Sequence, residues 1–133
     1  MKGCIYMKLN PDCIRDILFT VEENTSFYND MEYTEDNPQI YPKLMSYSID
    51  EILYHIKQCE KSYLIDKVLW YSEGCTITDL TPNGHQFLSN IRSDSAWNKT
   101  KEISKNIGSS SLDALKQIAT SVISELIKAQ FLP

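Results

Sequence analysis

Residues 47–80, YSIDEILYHIKQCEKSYLIDKVLWYSEGCTITDL, decide the fold. At their head, Ser48-Ile49-Asp50-Glu51 is a capping box: the serine hydroxyl and the glutamate carboxylate can each take an orphan N–H of a helix's first turn. Tyr47 and Ile52 stand at the staple positions around it. At about 100° per residue, Ile52, Leu53, Ile56, Cys59 and Tyr63 share one face, which reads as core. Glu51, Tyr54, Gln58, Lys61 and Ser62 share the other, which is open to a partner. A corner at Tyr63-Leu64-Ile65 follows. Residues 66–71 then alternate, with Val68 and Trp70 on one side and Lys67, Leu69 and Tyr71 on the other, and residues 76–80 are rich in β-branched side chains. Between the two, Ser72-Glu73-Gly74 supplies a residue that tolerates positive φ, so a hairpin is expected. A helix running into a hairpin is the second half of a winged-helix unit.

Upstream, Asn10-Pro11 is a cap followed by a proline at the first helical position, and Ile14, Ile17, Leu18 and Val21 follow with helical spacing. Residues 24–46 are acidic at Asp30, Glu32, Glu35 and Asp36, aromatic at Phe27, Tyr28, Tyr33 and Tyr41, and broken at Pro38 and Pro42. So long a connection should fold in part, and a short strand or helical turn is expected between residues 40 and 47. Its aromatics are expected to tuck against the core, the other use being a partner-binding loop. Downstream, Thr81-Pro82 opens a third helix carrying Phe87, Leu88 and Ile91, with Gly84 allowing a close neighbour. A fourth helix is expected from Ser93 or Asp94 to Asn106, stopped by Gly108. The last, over residues 112–129, is apolar around about half its circumference. Along it Leu115, Ala119, Val122, Leu126 and Ala129 alternate spacings of four and three, as a dimerising seam does; the helix is expected to pair with its copy in another subunit, the competing use being to close back over the first helix and the wing.

The chain of 133 residues, 42% of them hydrophobic, suits one compact α+β, mostly α domain. We divide it into an N-terminal extension (1–6), a winged-helix-like core (7–92) with a two- or three-stranded wing, and a C-terminal helical pair (93–133). Cys4, Cys13, Cys59 and Cys75 include no C-x-x-C pair and read as reduced thiols of a soluble, cytoplasmic protein. No apolar run approaches the roughly 20 residues that span a bilayer. His55, Cys59, Cys75 and His85 can be drawn around a zinc ion, but not at the spacing of a finger or ribbon, and they read as buried thiols, a core-boundary histidine and a histidine near a helix start. No base and orienting acid are placed beside a thiol, and the four glycines form no phosphate-cradling loop. Neither an enzyme nor a cofactor is expected.

The net charge is −5, divided unevenly: residues 48–80 hold three lysines against six acidic side chains, whereas residues 81–107 hold four basic against two. Duplex DNA binding draws on cations that neutralise phosphates. The candidates are Tyr54, Gln58 and Lys61 toward a groove, Lys57 and Lys67 toward phosphates, and a second basic edge of Arg92, Lys99, Lys101 and Lys105.

The pieces MKLNPDCIRDIL (7–18), YSIDEILYHIKQCEKSYLI (47–65), DLTPNGHQFLSNIRSDSAWNKTK (79–101) and SSLDALKQIATSVI (110–123) resemble the family called domain of unknown function 2513, found in short bacterial and phage-borne proteins. The resemblance implies Met7 as the usual start. Residues 52–65 (ILYHIKQCEKSYLI) with the following hairpin and LTPNGHQFL are also similar to winged-helix transcription regulators, in which a corner L-E-x-A-G-L-I precedes a wing running into L-T-x-x-G. Here Tyr63 stands at the corner's glycine, and no clear helix-turn leads into Ser48, so the usual leading helix is missing or shrunken into residues 38–47. The two resemblances together imply a DNA-associated phage or mobile-element regulator, and the seam adds a dimer through the last helix; the other expectation is a protein-interaction module using the helix–wing face or the acidic tyrosine loop.

Overall fold

The computed structural model describes residues 7–132. The expected extension at residues 1–6, and Cys4 within it, lies outside the described residues.

Helix α1 (Pro11–Asn24) begins as its sequence requires, with the Asn10 side chain accepting from the N–H groups of Asp12 and Cys13. Its stripe of Cys13, Ile14, Ile17, Leu18 and Val21 is fully buried, at about 1.5–3 kcal/mol per large aliphatic side chain. The chain then extends into β1 (Met31–Thr34), where Met31 and Tyr33 point inward, and crosses two proline-opened 3₁₀ turns, Pro38–Ile40 and Pro42–Leu44. The second turn falls inside the interval expected to fold. The strand lies earlier than expected: an alternation of only four residues, Met31 and Tyr33 inward, is too short to read without its distant partner β3.

Helix α2 (Ile49–Lys61) is capped by Ser48, whose Oγ accepts from the Glu51 N–H at 3.1 Å. The box is only half closed: the Glu51 carboxylate instead accepts from Asn10 Nδ2 at 3.1 Å, tying α2 to the start of α1. Strands β2 (Leu69–Trp70) and β3 (Gly74–Ile77) form the expected hairpin, with Val68 buried and Leu69 and Tyr71 exposed. The antiparallel sheet has the order β1-β3-β2, with Met31 opposite Ile77, Tyr33 opposite Cys75, and Trp70 opposite Cys75 from the other side. Gly74 serves differently from the expectation. It is paired opposite Thr34 inside β3, and a Cβ there would lie 2.1 Å from the Tyr33 carbonyl oxygen, so it is needed for close approach, not for positive φ.

Helices α3 (Pro82–Ile91), α4 (Asp94–Ile107) and α5 (Leu112–Phe131) complete the described chain, N-capped by Thr81, Ser93 and Ser111. Gly108, at φ 71°, stops α4 in the left-handed conformation. The whole is α+β and mostly α. Trp97, Leu112, Leu115 and Ala119 join the same core as α1, α2 and the sheet. The aromatics of residues 24–46 divide: Tyr33 and Tyr41 are buried, whereas Phe27 and Tyr28 stand in solvent.

Candidate functional site

The β2–β3 hairpin follows α2 through a tight turn and is bonded back to the end of that helix. The N–H of Leu64 donates to the Cys59 carbonyl at 2.9 Å and that of Tyr63 to the Glu60 carbonyl at 3.1 Å. This is a Schellman motif, in which the residue at Tyr63's position adopts the left-handed conformation and is usually glycine. Tyr63 adopts it with φ 60°, at a cost of about 1–2 kcal/mol for a side-chain-bearing residue. Its ring is therefore not on the core face projected for it but 73% exposed at the corner. Behind it, the Thr81 hydroxyl donates to the Tyr63 carbonyl, and the Thr81 N–H donates to the Leu64 carbonyl at 3.0 Å. Gly84 is pressed against that same carbonyl: a Cβ would fall 1.9 Å from its oxygen.

Glu60 fastens the β2–β3 hairpin to α2. Its carboxylate accepts from the Val68 N–H at 2.7 Å and from Trp70 Nε1 at 3.1 Å, and Lys57 Nζ lies 3.7 Å away and 4.9 Å over the Trp70 ring. Burial pushes the Glu60 carboxyl up, but these bonds and the Lys57 charge outweigh it and hold the group below its ordinary value of 4.5.

On the resulting surface Tyr54, Lys57, Lys61 and Lys67 are exposed and Gln58 is half-buried. Among the described residues, Lys61 and Lys67 make no ion pair, nor does Lys105. The rest of the second basic edge is engaged: Arg92 donates to Glu22 at 2.6 Å, Lys101 lies 2.9 Å from Asp12, and Lys99 lies 3.8 Å from Glu102. Arg92 and Lys101 thus pin α3 and α4 to α1. Arg15 joins them, donating to the carbonyls of Ile91 and Arg92 and to Asp94. Sequence reasoning missed Arg15, Asp12 and Glu22, whose partners lie more than 65 residues away in the chain.

The expected seam on α5 is split. Leu115 and Ala119 are fully buried and Val122 nearly so within this chain, and only Leu126 and Ala129 face solvent. The first three are consumed by the helix closing over the body, the competing use of so wide an apolar arc.

His55 is fully buried, deeper than a core-boundary residue. Its Nδ1 donates to the Glu51 carbonyl at 2.7 Å, and its Nε2 accepts from the Asn10 N–H at 2.8 Å, so both ring nitrogens are committed within the protein. Burial raises the Cys59 and Cys75 thiols to about 12, Cys75 with help from the Glu60 charge, and raises Cys13 as well, which leaves all three unreactive. Among the described residues, no three of the His, Cys, Asp and Glu side chains converge on one point. No helix among them is long and apolar enough to cross a membrane.

The family model described as "Hypothetical protein (DUF2513)" matches residues 8–111. The chain belongs to the DUF2513 family. An uncharacterized protein of Haemophilus influenzae is 32% identical over 126 residues, covering 91% of this chain and 99% of the relative. No solved structure matches. The DUF2513 match contains the whole of α2 and the β2–β3 hairpin and ends at the residue before α5.

Proposed function

We propose that this DUF2513 protein is a winged-helix, DNA-associated regulator of the kind carried by phages and mobile elements, reading duplex DNA with α2 and flanking it with the wing. What carries the reading is the order helix, strand, turn, helix, strand, strand with a β1-β3-β2 sheet, which leaves Tyr54, Lys57, Gln58 and Lys61 on the outward side of the second full helix. Two 3₁₀ turns stand where such units carry another helix. A bond accepted from a neutral N–H leaves a carboxylate's charge in place, so the acids of residues 48–80 still count against phosphates and the reading rests on where Lys57, Lys61 and Lys67 stand. Lys57, Lys61 and Lys67 are the contacts; Arg92 and Lys101 are spent on α1. A dimer through α5 belongs to this reading, because it offers two α2 faces to two half-sites.

A second reading, a protein-interaction module, is favoured by Tyr63, Leu69 and Tyr71, which expose apolar surface on the same face. Equilibrium binding of a labelled duplex of mixed sequence at stepped salt separates the two. The regulator binds at low salt and weakens steeply as salt rises; no binding at the lowest salt leaves the second reading.

A further inference from the structure

Val122 is the last residue of α5 buried against the body. Beyond it Leu126 is 44% and Phe131 83% exposed. Where α5 leaves, a groove of about 230 Å³ opens between α4 and α5, lined by Lys99, Ile103, Ser121, Val122, Glu125 and Leu126. Its floor is apolar (Ile103, Val122, Leu126), with a cation contributed by α4 and an anion by α5.

We propose that a second copy of this chain docks here in a two-fold, isologous contact, Leu126 of each entering the groove of the other. This deepens the dimer in the reading above and needs no DNA. The occupant follows from the charges. A patch with one cation and one anion about an apolar centre can be its own complement: a two-fold axis in the contact plane, perpendicular to the line from Lys99 to Glu125, lays Lys99 of each copy over Glu125 of the other. The existing partners offer no obstacle: Lys99–Glu102 at 3.8 Å and Glu125–Lys128 at 3.6 Å are exposed pairs within single helices, worth little and readily exchanged. Net charge points the same way. The molecule carries −5, but residues 108–133 hold two basic and two acidic side chains, so this end meets its copy without the repulsion the remainder would impose.

Light scattering on the full chain without nucleic acid tests the contact. The expected mass at tens of micromolar is twice the 15.3 kDa of one chain. Leu126→Glu should give the single-chain mass with an unchanged circular dichroism spectrum. Lys99→Glu and Glu125→Lys should each weaken association about tenfold, and the two together should restore it. A wild-type mass of one chain at every concentration overturns the proposal, as does a double reversal no tighter than the single ones. Duplex binding by a chain that stays monomeric would refute this contact and leave the regulator reading standing.

Discussion

Tyr63 holds a backbone conformation that costs stability. A tyrosine held at φ 60° in a position suited to glycine, with its ring in solvent, is not explained by packing. Tyr63→Gly should therefore raise stability by about 1 kcal/mol, seen as a higher urea midpoint with an unchanged slope. It should also weaken whatever the α2–wing face binds; a variant less stable than the parent would show that the ring supports the fold. Glu60 is the converse, an acid whose work is structural. Its carboxyl is held below 4.5 in the folded state, so its contribution is present above that pH and lost as pH falls through the folded value. Glu60→Gln should flatten the fall in thermal midpoint between pH 5 and roughly pH 3, and a parallel fall would count against the assignment.

At the scale of elements, the corner between α2 and α3 depends on backbone meeting backbone. Since a Cβ on Gly84 would lie 1.9 Å from the Leu64 carbonyl oxygen, Gly84→Ala must displace either the corner or α3. We expect a loss of about 2–3 kcal/mol in chemical denaturation, with the wing loosened in hydrogen exchange. Helix starts were legible because each is written in adjacent residues: Asn10-Pro11, Ser48, Thr81-Pro82 and Ser93 cap the helices that follow them. What depends on distant partners was not. Strand β1 alternates, with Met31 and Tyr33 inward, but four residues are too few to read alone and its pairing with β3 sets it; Gly74 looked like a turn residue until Tyr33 was placed against it. His55 looked peripheral because the Asn10 N–H that it receives is 45 residues away.

For the whole molecule, composition was a poor guide to where charge acts. Of the nine side chains expected to meet nucleic acid, the structure uses Arg92 and Lys101 to join α3 and α4 to α1, while Lys57, Lys61 and Lys67 border the exposed face of α2 and its wing. The α5 seam was legible as an apolar arc but not as two surfaces, one closing the core and one overhanging it, since periodicity does not say where a helix leaves the body. The central claim is that α2 and the wing, not the α3–α4 edge, bind DNA. It is tested most directly by the salt dependence of duplex affinity for the wild type beside Lys57→Ala/Lys61→Ala/Lys67→Ala. The account predicts weaker binding and a log–log salt slope shallower by about three in the triple variant, roughly one for each phosphate contact removed. An unchanged slope in that variant would contradict it.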